Sequence, residues 1–158
     1  AATRHMVDVV VFLMQLTSRR TVLMGAEALA VCAMRRPAGA QAAGREPDSR
    51  WYEAAVVMRR LALSWGDQPF GAVLVLHGVL VGEGPSRVIK TGDPEAHAER
   101  EAIRDAQHKL GRQFLAGTVL YSTSRPCSLC EAAAAQAGVA RMYFGSSLTD
   151  AGVPGKPR

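Results

Sequence analysis

Cys127 and Cys130, in the stretch SRPCSLCEAAAA (124–135), are the residues of this 158-residue chain whose type and spacing most directly offer chemistry. Pro126 suits the opening turn of a helix, because its missing N–H would have no intrahelical partner there. The run 131–137, EAAAAQA, is rich in strong helix formers. The spacing therefore predicts the two cysteines at i and i+3 on the first turn of one helix, on one face. The positive end of the helix dipole favours thiolates at that place. Two thiolates on one turn form half a site for a soft or borderline cation such as zinc. A thioredoxin-like redox pair shares both the spacing and the helix position, so the motif alone leaves metal and redox chemistry open.

The other half of a metal site has to come from His or Cys, and the chain has four histidines, His5, His77, His97 and His108. His97 stands in GDPEAHAEREAIRDAQHKL (92–110). Asp93 reads as an N-cap, Pro94 as the first helical position, and Glu95, Glu99 and Glu101 as the acidic first turns a helix dipole prefers. Ala98, Ala102, Ile103 and Ala106 follow helical spacing. His97 is thus expected in the first turn of a second helix, with Glu99 two residues on. Taken singly, a histidine and a glutamate here read as surface residues. His77 reads as an exposed turn residue and His108 as a solvated helix residue; neither is assigned as a ligand.

Together the two segments read His97-Ala98-Glu99 and Pro126-Cys127-Ser128-Leu129-Cys130, an H-x-E…P-C-x-x-C pairing. In this the chain resembles the cytidine deaminase-like superfamily. Within it the chain is most similar to the branch of guanine deaminases and tRNA adenosine deaminases, through QPFGAVLV (68–75), GEGPSRV (82–88), GDPEAHAE (92–99) and ARMYFG (140–145), in that order. The likeness covers about residues 51–150. It implies one zinc ion per chain on His97, Cys127 and Cys130, with the fourth position left to water as in catalytic rather than structural zinc sites. It also implies Glu99 as the catalytic proton carrier rather than a ligand. The reaction implied is hydrolytic deamination of a small nucleobase or nucleoside of guanine, cytosine or adenine type. Water made nucleophilic by zinc attacks the amine-bearing ring carbon, and ammonia leaves. A redox reading of the cysteines leaves His97 and Glu99 without a task. Ser86, Phe70 and Ala98 fall where the branch contacts its base. Asparagine is usual in the place of Ser86, and serine has a shorter reach and a different donor pattern, which puts base identity in doubt. Phe70 can stack on a planar base or serve as a core aromatic. Arg125 replaces the Glu common before the motif proline and reads as a surface residue. Two alternatives stand beside this reading: a tRNA-editing adenosine deaminase, and an inactive zinc-binding deaminase-like scaffold.

These residues need elements to hold them. Residues 51–65 carry apolar residues at helical spacing with Arg59 and Arg60 outward, and GAVLVLHGVLVGEG (71–84) reads as a hairpin turning at His77-Gly78. GTVLYSTS (117–124) and ARMYFG (140–145) read as strands. The order helix, strand, strand, helix, strand, helix, strand demands a crossover and at least one parallel pair. The fold class expected is α/β: a cytidine deaminase-like α/β/α layered sandwich with a mixed sheet. It is C-terminally short, because the branch continues past a point comparable to SLTDAGVPGKPR (147–158) with a further strand and helix. Hydrophobic content of 48% and charge of 21% fit an ordinary globular chain with a core large enough to fold unaided.

Two domains are expected, a leader over 1–45 and the deaminase domain over 46–158. Arg19-Arg20, an apolar run from Thr21 to Met34 and Ala40-Gln41-Ala42 together resemble a twin-arginine export signal, with Met14 as a natural start. The alternative is one or two additional helices packed on the domain. Export would place the protein in the periplasm; without a genuine signal it is cytoplasmic. The apolar run is too short to span a bilayer readily, so no stable membrane span is expected after processing. Residues 1–42 hold five Lys or Arg and two Asp or Glu, leaving 14 basic and 12 acidic residues and a net charge of +2 for the remainder. Nucleic acid is an unfavoured partner for so weak a charge. A small base or nucleoside is the expected partner, and a homodimer is expected only through the resemblance.

Overall fold

The computed structural model describes residues 47–155. The leader read over 1–45, with its boundary to the domain, lies outside them. Helix α1 (Ser49–Ser64) opens the description, its N-cap Asp48 accepting a hydrogen bond from the Arg50 N–H. Strands β1 (Gly71–Leu76) and β2 (Val79–Pro85) follow as an antiparallel hairpin. His77 and Gly78 form its turn, both at positive φ (51° and 79°), which matches the twist of the flanking strands. A short helix, α2 (Val88–Thr91), precedes α3 (Ala98–Leu110). Then come β3 (Thr118–Ser122), α4 (Ser128–Gln136), β4 (Arg141–Phe144) and β5 (Thr149–Gly152).

The five strands form one mixed sheet in the order β2-β1-β3-β4-β5. The β3–β4 pair is parallel and the other three are antiparallel, so α4 is the crossover that the one parallel pair requires. This is the layered α/β fold the sequence predicts, with two differences. The segment 147–158, in which the sequence reading places no element, carries β5, paired with β4 and tied to it by Arg141, whose guanidinium grips both carboxylate oxygens of Asp150. The short helix α2 has no periodicity to announce it, since one turn is shorter than any repeat of the apolar pattern.

Strand alternation sorts the core into two clusters. Val73, Val75, Tyr121 and Tyr143 face α1 and pack with Ala55 and Met58, the two tyrosine rings stacked at 5.4 Å. Ala72, Leu74, Leu120 and Met142 face the other way, against Ala98, Ala102, Ile103 and Ala106 of α3 and Ala134 of α4. Both helix layers approach the sheet at backbone contact. A Cβ at Gly71 would lie 2.2 Å from the Ala55 carbonyl of α1, and one at Gly84 would lie 2.0 Å from the Ala98 carbonyl at the start of α3. Glycine at 84 therefore seats the first turn of α3 directly on β2. Because Gly71 pairs with Pro85, and Ala72 with Ser122, the start of β1, the end of β2 and the end of β3 share one edge of the sheet. The N-termini of α3 and α4 meet there.

Candidate functional site

The structure brings His97, Cys127 and Cys130 together. His97 Nδ1 stands 3.6 Å from Cys127 Sγ and 3.5 Å from Cys130 Sγ, and the three donor atoms lie within 4.8 Å of one another. A tetrahedral zinc with ordinary Zn–S and Zn–N bond lengths sets S···N edges of about 3.6 Å, so the donors already stand at the spacing such an ion imposes. Among the described residues this is the one group of three or more His, Cys, Asp or Glu side chains that meets the geometry of a metal site. The cysteines are not joined in a disulfide.

The local structure that achieves this differs from the sequence reading by a residue or more at each helix. His97 is not in the first turn of α3 but is its N-cap, with extended backbone (φ −65°, ψ 151°). Asp93 and Pro94 do not start that helix. The Asp93 carboxylate accepts from the Glu95 N–H (2.8 Å) and its carbonyl from the Ala96 N–H (3.0 Å), closing a turn before the helix begins. Cys127 is likewise the N-cap of α4 (φ −76°, ψ 168°), so Pro126 precedes the helix instead of opening it, while Cys130 lies inside the first turn. Neither N-cap side chain bonds its own helix. Both point into the donor cluster, and the positive ends of two helix dipoles converge beside the sulfurs.

Glu99 is the second residue of α3 and is buried. Its Oε1 accepts a hydrogen bond from Ser122 Oγ at 2.8 Å, and its Oε2 lies 3.5 Å from Cys130 Sγ. The Ser124 N–H donates to Ser122 Oγ at 3.4 Å, which anchors the hydroxyl at the end of β3. Burial pushes the Cys130 thiol well above its ordinary pKa, and the Glu99 carboxylate and Cys127 push the same way. A bound divalent cation supplies the opposite charge that reverses this balance and ionises a coordinating thiol. Two sulfurs, an imidazole and a carboxylate gathered in this way suit zinc by both geometry and donor type.

The remaining sequence-derived candidates divide. Ala98 is fully buried against β2. Phe70 is 38% exposed at the start of β1, which excludes the core-aromatic reading. Ser86 is fully buried, and its Oγ donates to Asp67 Oδ1 at 2.9 Å. His77 and His108 are exposed, on the hairpin turn and on α3, as expected, and Arg125 is exposed. Two residues escaped the sequence reading. Ser122 ends an ordinary strand, and only strand parity, which puts it on the α3 side with Leu120, could have suggested it. Asp67 carries no spacing signal at all. Burial raises the pKa of its carboxyl, but hydrogen bonds from Lys90, Gln68, Ser86 and Ile89 outweigh that and leave it below the usual carboxylate range. A separate cleft of about 290 Å³ between α3 and α4, lined by Arg100, Arg104, Gln107 and Gln136 among others, is distinct from the donor cluster.

A mixed α/β sheet that lays two helix N-termini side by side, with one imidazole, two thiols and a neighbouring buried carboxylate, defines a three-ligand metal centre of the hydrolytic kind. The chain belongs to the cytidine and deoxycytidylate deaminase family, whose zinc-binding region matches residues 45–146. It is 36% identical over 103 residues to a tRNA-specific adenosine deaminase of Buchnera aphidicola, covering 65% of this chain and 68% of that one. It is 39% identical over 87 residues to a guanine deaminase of Bacillus subtilis, covering 55% and 56%. Overall, the chain spans about two thirds or less of the length of the curated relatives it matches. Among solved structures, it matches a tRNA:A34 deaminase at 39% identity and a TM-score of 0.60, covering 62% of this chain and 71% of that one. It also matches guanine deaminase from Bacillus subtilis at 33% identity and a TM-score of 0.60, covering 63% and 64%.

Proposed function

We propose that the protein is a zinc-dependent aminohydrolase that converts an amine-bearing ring carbon of a nucleobase or nucleoside to a carbonyl, consuming water and releasing ammonia. The observation that carries this reading is the buried Glu99 carboxylate 3.5 Å from a ligand sulfur. That puts a proton carrier beside the metal position without making it a ligand. His97, Cys127 and Cys130 hold the ion, which when bound supplies the Lewis acidity that makes water nucleophilic near neutral pH. Glu99 then takes a proton from the attacking water and passes it to the ring nitrogen; as the carbonyl forms it takes the second proton, from the hydroxyl added to the ring carbon, and passes it to the departing amine, which leaves as neutral ammonia. Ser122, fixed by the Ser124 N–H, holds Oε1 so that Oε2 faces the cluster. Phe70, exposed at the same edge of the sheet, offers a stacking face for a planar base.

The test is ammonia release from a panel of free bases and nucleosides by zinc-loaded protein, with Glu99→Ala as control. Loss of the proton carrier is expected to cut kcat by about 10²- to 10⁴-fold. Activity that survives Glu99→Ala sinks the mechanism. A second reading, adenosine editing in tRNA, is favoured by the names of the relatives at 36% and 39% identity. Against it stands the net charge of +2 over 43–158. Inosine formed in transcribed tRNA, with no turnover of free adenosine or guanine, would select it. Export through a twin-arginine leader at 17–44 remains part of the proposal. It is checked by fractionating cells that carry the natural sequence and an Arg19-Arg20→Lys-Lys variant, and equal periplasmic recovery of both would exclude it.

A further inference from the structure

Asp67 lies between α1 and β1, away from the donor cluster, and is 5% exposed. Its Oδ1 accepts from the Gln68 N–H (2.7 Å) and from Ser86 Oγ (2.9 Å). Its Oδ2 accepts from the N–H groups of Ile89 (2.9 Å) and Lys90 (2.8 Å) in α2. One carboxylate thus joins three pieces of chain that have no ladder bonds to one another: the loop after α1, the end of β2, and α2. Main-chain bonds continue the seam. Ser86 N–H donates to the Phe70 carbonyl (3.1 Å), and Arg87 N–H to the Ala96 carbonyl (3.0 Å), one residue before His97. Ser86 itself is 0% exposed, and a hydroxyl carries a single proton, here directed at Asp67.

We propose that Asp67 is a positioning residue that fixes the Phe70–Ser86 wall beside the metal cluster, and that it holds the Ser86 hydroxyl inward so that a base is bound at this wall without a hydrogen bond from Ser86. The inference rests on the deaminase reading above for what the wall faces. Its consequence is that Ser86 is not a base-reading residue: the wall contributes shape and the Phe70 ring, and the loop carboxylate behind it sets where they stand. A buried carboxylate with four donors has no neutral replacement of equal capacity, because each N–H or O–H that loses it gives up a charge-assisted bond.

The experiment compares Ser86→Ala, Asp67→Asn and Asp67→Ala in the zinc-loaded full chain. Three things are measured: KM and kcat on the best base of the panel, amide hydrogen exchange at Ile89 and Lys90, and zinc content. Ser86→Ala removes one of the four donors to the carboxylate but no bond to the base, so it is expected to raise KM by about threefold, less than Asp67→Ala does and by the same factor for every base of the panel. Asp67→Ala is expected to raise KM about tenfold or more with kcat within about threefold, because the wall binds while the metal cluster and Glu99 react. It should also speed exchange at Ile89 and Lys90 about tenfold or more and retain a full complement of zinc. Asp67→Asn, which keeps the volume, falls between, and it carries the same readouts if Asp67→Ala does not fold. A tenfold rise of KM in Ser86→Ala at unchanged melting temperature overturns the inward hydroxyl. Unchanged KM or unchanged exchange in the Asp67 variants overturns the positioning role. If the parent protein releases ammonia from no base, the deaminase reading fails, whereas exchange at Ile89 and Lys90 still decides whether Asp67 holds the wall.

Discussion

At the scale of single residues, the chemistry depends on side chains being released from local duties. His97 and Cys127 occupy positions where a polar side chain usually caps its own helix, yet both turn to the donor cluster and leave the helix N–H groups uncapped by side chains. The cost of two uncapped termini is offset by what converges on them, sulfur ligands in the positive field of two helix ends. Cys130 is the buried member of the set and Cys127 the exposed one, so their replacements differ. Cys130→Ser is expected to weaken zinc affinity by on the order of 10²-fold or more, since a hydroxyl is a poor zinc ligand in the same reach. Competition with a chromophoric chelator measures this, and a Cys130→Ser protein that keeps its zinc at parental affinity would remove Cys130 from the ligand set. The pairing of His97-x-Glu99 with Cys127-x-x-Cys130 was legible from residue types alone. Ser122 and Asp67 were not, because a serine at a strand end and an aspartate in a loop acquire their roles only from partners 23 and 19 residues away.

At the scale of elements, the decisive contact is α3 on β2. Gly84 and Gly82 remove the Cβ atoms that would hold the helix off the sheet; a Cβ at Gly82 would lie 2.3 Å from the Ala102 carbonyl. The alanines Ala98, Ala102 and Ala106 face that surface, so small residues on both sides allow backbone-level approach. Gly84→Ala therefore meets the Ala98 carbonyl and the Ala102 N–H rather than a side chain that can swing away. It is expected to cost about 3 kcal/mol of stability and to weaken zinc binding, because Ala98 adjoins His97. Gly92→Ala makes the matched control. Its φ is +67° with no atom near the added Cβ, so only backbone strain of about 1–2 kcal/mol is expected, with zinc binding preserved. Denaturant unfolding and chelator competition on the two variants check this. Equal losses of zinc affinity would show that the close approach at Gly84 does not set the position of His97. The hairpin, the two long helices and strands β3 and β4 followed from periodicity and turn chemistry. The helix starts did not, since Asp93 and Pro94 suit a turn as well as a cap, and only the chain's path from α2 to α3 selects the turn.

At the scale of the whole molecule, the metal position ties together segments that are otherwise separate: the loop before α3, the loop after β3 and the first turn of α4. An ion that binds the folded chain and not the unfolded one stabilises it by about 4 kcal/mol when present at 1,000 times its dissociation constant. Stripping zinc with a chelator is thus expected to lower the melting temperature by about 10 °C or more in a domain of this size, with the loss restored by added zinc. A melting curve indifferent to chelator and to zinc would count against a resident ion. By itself the sequence determined the donor set, the carboxylate beside it, the α/β class and the family, because those depend on residue types and short periodicities. Only the tertiary structure decided that His97 and Cys127 stand just before their helices, that β5 pairs with β4, and that Ser86 faces Asp67. Each of those depends on which backbone groups and side chains meet across the fold, and no local pattern encodes such meetings.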